Sequence, residues 1–179
     1  NLLSASGGTV VLSATGSAVI SAVTDNADGT YTATITNTVA ESITISGTLD
    51  AAAITDTAAI TFTVGSADPT NGNTTLAATP TSVVADGATT SSVTVTLADA
   101  NSNLLSASGG TVVLSATGSA VISAVTDNAD GTYTATVTNT VAESVTISGT
   151  LDGAAITDTA AITFTVGAAS PTNANTTLV

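Results

Sequence analysis

The side chains in this sequence that could do chemistry are almost all oxygen donors. In "DANSN", Asp99, Asn101 and Asn103 place donors at every second position, which is how a calcium loop opens. An EF-hand would close that loop with glutamate at its twelfth position; here that position is Gly110, so the EF-hand form does not apply. A second oxygen-rich turn holds Asp127, Asn128 and Asp130, and Asp68 is a third candidate. Calcium at Asp99, Asn101, Asn103, Asp127 and Asp130 is therefore one expectation. The other is that Asp and Asn stand in these places because turns favour them. Asp50 with Asp56, and Asp152 with Asp158, flank turns and offer paired carboxylates. Two-carboxylate hydrolysis also needs a cleft that grips its substrate, and small side chains supply little for one.

What is missing narrows the chemistry further. The chain has no His, Cys, Lys or Arg, so the common bases and nucleophile pairs are absent and no enzyme is expected. No cofactor other than calcium is implied. Thirteen acidic residues face no internal cation. Such a chain forms no side-chain salt bridge, has no cationic contact to offer a nucleic acid, and is repelled by an anionic membrane. Its charge must be balanced by cations in the solvent, which suits a calcium-rich or saline exterior. No long apolar run calls for direct membrane insertion, and without cysteine there is no disulfide framework.

The elements that must hold these groups come in near-duplicate. Residues 1–77 align with 103–179 without a gap, differing at Ile35/Val137, Ile43/Val145, Ala51/Gly153, Ser66/Ala168, Asp68/Ser170, Gly72/Ala174 and Ala77/Val179. A period of this length is the size of a self-contained domain and too long for the common solenoid repeats. The stretches "GSADPTNGN" and "GAASPTNAN" are rich in Gly, Pro, Asn and Ser and read as linkers. The expected frame is an incomplete repeat at 1–67 lacking its first strands, a linker at 68–73, and a complete repeat at 74–167. A second linker at 168–174 and the first strand of another repeat at 175–179 follow. Asn1 is not read as a native start.

Within the complete repeat the apolar period is two. "SSVTVTLAD" puts Val93, Val95 and Leu97 on one face and Thr94 and Thr96 on the other. "TYTATVTNT", "ESVTISGTL" and "TAAITFTVG" alternate in the same way, and "ADG", "DANSN", "SGG", "DNADG" and "LDG" separate them as turns. With aromatics at 2% of the chain, Val, Ile, Leu and Ala must fill the core. The expected fold is all-β: tandem antiparallel immunoglobulin-like sandwiches of about seven strands each.

An Asp-Gly-x-Tyr pattern just before a strand is close to the sequence form of a tyrosine corner, whose phenol bonds back to main chain. It occurs as Asp28-Gly29-Thr30-Tyr31 and again as Asp130-Gly131-Thr132-Tyr133. Tyr31 and Tyr133, with Gly29 and Gly131, are read as structural, because a lone Tyr without a cationic or nucleophilic neighbour has little chemistry to perform.

Here a family resemblance becomes specific. "SVVADGATTSSVTVTLADANSNLL" (82–105) followed by "VTDNADGTYTATVTNTVAESVTISGTL" (125–151) resembles the bacterial immunoglobulin-like domain of the invasin and intimin type. The likeness covers 74–166 and, by repetition, 1–67. It implies a surface or extracellular location and the stalk of a large adhesin, in which most copies are spacers and distinct terminal modules bind. The expected partners are neighbouring repeats of the same chain, or identical chains in a filament. A fibre subunit joined by donated strands is the alternative, as is a module for a carbohydrate, ice or another ligand. The outward threonine rows suggest ice, although a twisted sheet is not a flat lattice and Thr is in any case a good strand residue.

Overall fold

In the computed structural model, residues 4–168 are described. The expected strand at 175–179, and the expected linker at 168–174 beyond its first residue, lie outside them. No helix occurs among the described residues. The chain divides into two compact units, Asn1–Gly65 and Ser66–Val179.

The first unit holds β1 (Val10–Ala14), β2 (Val19–Ile20), β3 (Thr24–Asp25), β4 (Tyr31–Thr32), β5 (Ile35–Thr36), β6 (Ser42–Leu49), β7 (Ala52–Ala53) and β8 (Ala58–Thr61). The second holds β9 (Thr75–Thr79), β10 (Ser82–Val84), β11 (Ser91–Thr96), β12 (Val112–Ala116), β13 (Val121–Ile122), β14 (Thr126–Asp127), β15 (Thr132–Thr138), β16 (Ser144–Leu151), β17 (Ala154–Ala155) and β18 (Ala160–Thr165).

The second unit is a closed immunoglobulin-like sandwich. One sheet runs β10-β18-β16-β12, with β17 beside β16; the other runs β13-β15-β11-β9, with β14 beside β15. Every pair is antiparallel except β10 with β18, which is parallel through Ser82↔Thr163, Val83↔Phe164 and Val84↔Thr165. Alternation settles which face turns inward. Val93, Val95 and Leu97 meet Val137, Val145, Ile147, Ile162 and Phe164 in a core from which water is excluded. Each such side chain contributes about 1.5–3 kcal/mol on burial. On the outer face Thr94 lies opposite Thr134 and Thr96 opposite Thr132, so the solvent side of this sheet is hydroxyl and methyl without charge.

The stretch expected as a linker, 68–73, is an ordered strap of the second unit. Ala67 bridges to Asp99, and Asp68 N donates to Ala98 O at 2.8 Å. Thr74 is fully buried; its Oγ1 donates to Asp68 O at 2.7 Å and accepts from Ala98 N at 3.0 Å. The Pro-Thr-Asn-Gly composition rightly signals turns. The strap is nevertheless anchored, because its own side chains satisfy its amides: Thr70 N donates to Asp68 Oδ1 and Asn73 N to Asn71 Oδ1, both at 2.8 Å.

The first unit repeats half of this plan. β1-β6-β7 and β8, which pairs with β6, form one sheet. The single strand β15 has as its counterpart two short strands, β4 and β5, each in its own two-stranded pair. In the second unit β11 runs along β15 from Ser91↔Val137 to Thr96↔Thr132 and holds it continuous. No counterpart of β11 exists among the described residues of the first unit.

One mismatch between the repeats sits where the backbone is demanding. The hairpin turn after β16 is Asp152-Gly153, with φ of 49° and 85°; after β6 it is Asp50-Ala51, with φ of 48° and 68°. Both residues of such a tight turn need positive φ, which glycine adopts freely and alanine does not. Ala51→Gly should therefore stabilise the first unit by about 1 kcal/mol, and Gly153→Ala should cost the second about the same. Thermal melting of the two variants beside the parent checks both signs.

Candidate functional site

The acidic residues share one arrangement: each carboxylate faces main-chain amides or hydroxyls of its own unit. Asp86 Oδ1 accepts from Ala88 N at 2.8 Å and Thr89 N at 2.6 Å, and its Oδ2 from Thr89 Oγ1 at 2.7 Å. These bonds, Thr89 N foremost, hold its pKa down to about 2. Glu143 Oε1 takes Asn139 Nδ2 at 2.9 Å and Ser119 N at 2.6 Å, and both lower its pKa, Asn139 first. Glu41 repeats this with Ser17 N at 2.6 Å and Asn37 Nδ2 at 2.8 Å. Its pKa is likewise lowered, chiefly by the Ser17 amide. Hydrogen bonds to the ionised form favour it, which is the physical cause in each case.

The calcium candidates fall into two separate turns. Asp99 is 2% exposed. Its Oδ1 accepts from Asn101 N and Asn103 N, both at 2.9 Å, and Asn103 Nδ2 donates to both of its oxygens, at 3.1 and 3.0 Å. The backbone amides of Asn101 and Asn103 and the side-chain amide of Asn103 thus all point at this carboxylate. In the other turn, Asp127 Oδ1 accepts from Ala129 N at 2.9 Å. Asp130 Oδ1 accepts from Thr132 N at 3.0 Å and Thr132 Oγ1 at 2.5 Å, which lowers its pKa. No group of three acidic side chains that could hold a metal occurs among the described residues.

The paired carboxylates are likewise engaged. Asp152 Oδ1 accepts from Thr111 N at 2.7 Å. Asp158 Oδ2 accepts from Leu76 N at 2.9 Å, tying down the first strand of its unit. Asp50 holds Thr9 N at 2.8 Å, and Asp56 holds Thr57 N at 3.0 Å. Staples of this kind leave no shared proton and no gripping cleft.

Tyr133 is buried in the second unit. Its hydroxyl accepts from Gly109 N at 3.0 Å and donates to Gly110 O at 2.7 Å. Tyr31 does the same with Gly7 N at 2.9 Å and Gly8 O at 2.7 Å. A tyrosine corner bonds a few residues upstream at the E–F corner. Here the phenol reaches residues 23 and 24 positions back, to the loop leading into β12 of the opposite sheet. It therefore fastens sheet to sheet. Gly131 makes room for this: its φ is 86°, and a Cβ there would run into Leu105 O. Gly29, at φ 85°, adopts the same backbone. A shallow depression of about 230 Å³ beside the clamp is lined by Gly110, Thr111, Val112, Val125, Asp127 and Tyr133.

Sequence reasoning missed the glutamate staple. The signal was present, since Glu41 and Glu143 are the chain's only glutamates and occupy equivalent positions.

The sequence profile described as Invasin, domain 3, matches residues 1–65 and 70–167. No curated protein sequence matches the chain. Among solved structures, the crystal structure of invasin, described as a bacterial integrin-binding protein, is 27% identical with a TM-score of 0.58; the match covers 88% of this chain and 32% of that one. The adhesin FdeC of Escherichia coli is 25% identical, TM-score 0.63, covering 94% and 56%. InvD of Yersinia pseudotuberculosis is 31% identical, TM-score 0.59, covering 96% and 51%. The chain thus spans between a third and somewhat over half of these proteins' solved lengths.

Two outcomes follow from the staples. Groups whose pKa is depressed by folding stabilise the fold above their unfolded pKa and lose that contribution as pH falls through the folded one. The melting temperature should stay level from pH 7 to 5, then fall between about pH 4.5 and 2 as Glu143, Glu41, Asp130 and finally Asp86 are protonated. Glu143→Gln should remove the upper part of that fall. Separately, melts in chelator and in millimolar calcium test the calcium expectation: a lower melting temperature in chelator would support it, and an unchanged curve would remove it.

Proposed function

This chain belongs to the invasin domain 3 family, and on that premise we propose that it supplies non-catalytic spacer modules to the stalk of a bacterial surface adhesin or filament. The task is mechanical: to extend, to space and to resist load. The observation that carries this reading is the parallel pair at the edge of the second unit. β10, near the unit's start, lies alongside β18 at its end. Thr163 N donates to Thr81 O and Ala85 N to Thr165 O, both at 2.8 Å, and Thr165 Oγ1 adds a bond to Val83 O at 3.2 Å. Pulling the two ends of the unit apart loads these bonds together in shear. In an unzipping geometry they would be loaded one at a time.

Supporting features point the same way. Each buried polar side-chain atom among the described residues has a partner, so no orphaned group awaits a ligand. The absence of Lys and Arg denies trypsin-like proteases a site, and the net charge of −13 keeps neighbouring chains apart. Both suit an exposed extracellular position.

Single-molecule pulling on the whole chain tests this. A distinct high-force event is expected for the second unit, and Ala85→Pro, which removes one amide from the shear pair, should lower that force measurably. A parent that opens with no resolvable force peak would overturn the reading.

A further inference from the structure

A sheet edge is a row of unpaired main-chain groups, and folded proteins blunt such edges with charge, proline, shortness or a cover. In the second unit β10 runs for three residues, and β13 and β14 for two each. On β9 the Leu76 amide is taken by Asp158. β12 has no such protection. It ends its sheet, is five residues long, and lies in a stretch, 111–117, without charge, proline or glycine.

Two bonds fix the phase of this strand: Asp152 N donates to Thr111 O, and Thr117 N to Thr146 O. Main-chain groups in an antiparallel ladder face the partner at every second residue. Val113 and Ser115 therefore face β16, while Val112, Leu114 and Ala116 turn their N–H and C=O groups to the open side. Beside that row is the depression of about 230 Å³ next to the tyrosine clamp, where Val112 meets Val125 and Asp127 of the opposite sheet's edge, with Tyr133. The first unit has the same feature, about 250 Å³, lined by Val10, Val23, Asp25 and Tyr31 among others.

We propose that the open edge of β12 docks an extended segment of another protein, laid antiparallel, with alternating apolar residues and one Lys or Arg that enters this depression. Strand addition of this kind combines main-chain bonds with pockets for alternate side chains. A residue opposite Val112 shares its inward face. There an aliphatic stem rests on Val112, Val125 and the Tyr133 ring, and its charged tip reaches Asp127, which commits only Oδ1 to its own turn, at Ala129 N. The next residue points outward onto Val113, which is 58% exposed. A second copy of this chain does not fit: it has no Lys or Arg to offer, and its net charge of −13 opposes the approach. Charge complementarity selects a cationic partner.

The test adds the peptide Thr-Val-Thr-Leu-Val-Lys-Thr, whose lysine falls opposite Val112, to the whole chain and reads amide hydrogen exchange by NMR. At saturation, exchange should slow roughly ten-fold or more at Val112, Leu114 and Ala116, while Val113 and Ser115, already bonded, change little. Asp127→Asn keeps the acceptor for Ala129 N and should weaken binding about three-fold. A peptide with Glu in place of Lys, and one N-methylated at its Leu and Lys amides, should give no protection; both changes sit in the peptide, so the chain's folding is not at issue. Four results would overturn the proposal: no slowing at millimolar peptide, equal slowing by the Glu peptide, binding that survives N-methylation, or a chain that dimerises alone and already protects Val112, Leu114 and Ala116.

Discussion

A polypeptide without a single cationic side chain must find another way to satisfy its carboxylates. The solution throughout is the main-chain amide. Asp86, Asp99, Asp152, Asp158 and Glu143 each accept from one or more backbone N–H groups. An ionised acceptor makes such bonds shorter and stronger than neutral ones. An exposed salt bridge, by comparison, adds little and weakens with salt. Acidic side chains thus do the work that ion pairs and aromatic bulk do elsewhere: Asp86 and Asp99 close local turns, while Asp152, Asp158 and Glu143 join segments far apart in the chain. Because the acceptor is a side chain and the donor is backbone, the arrangement tolerates sequence drift at the donor position.

The tyrosine clamp completes that arrangement from the apolar side. Its ring lies in the core, and its hydroxyl takes both a donor and an acceptor from the glycines before β12. A buried phenol without such partners would be costly. Carboxylates outside and phenol inside therefore secure the same loop: Asp152 holds Thr111 N one residue beyond the glycines that Tyr133 holds.

How much of this was legible beforehand differs by element. Period-two alternation in "SSVTVTLAD" and "TAAITFTVG" placed the inward faces, because a half-buried strand leaves that imprint on side-chain type. The duplicate sequence implied an incomplete and a complete repeat, while the boundary between the compact units falls between Gly65 and Ser66. Composition misled at 68–73: Pro, Asn and Gly report turn geometry, and whether a turn hangs free or is anchored depends on partners such as Ala98 and Ser102, which are distant in sequence. The same limit governs "DANSN". Its alternating oxygens carried no sign that Asp99 would be buried and would accept the amides of Asn101 and Asn103. The tyrosine's partners, on the other sheet, were equally beyond reach of local pattern.

The pairing of β10 with β18 joins residues separated by most of the unit, with Thr165 reaching Val83 across 82 positions. Closing so large a loop comes late and slowly when a chain folds, since its entropy must be spent before distant contacts repay it. A module once torn open would heal on a much longer timescale than the tug that opened it. A row of such modules would behave as a shock absorber with memory, dissipating a sudden pull irreversibly and regaining its length only after the strain has gone.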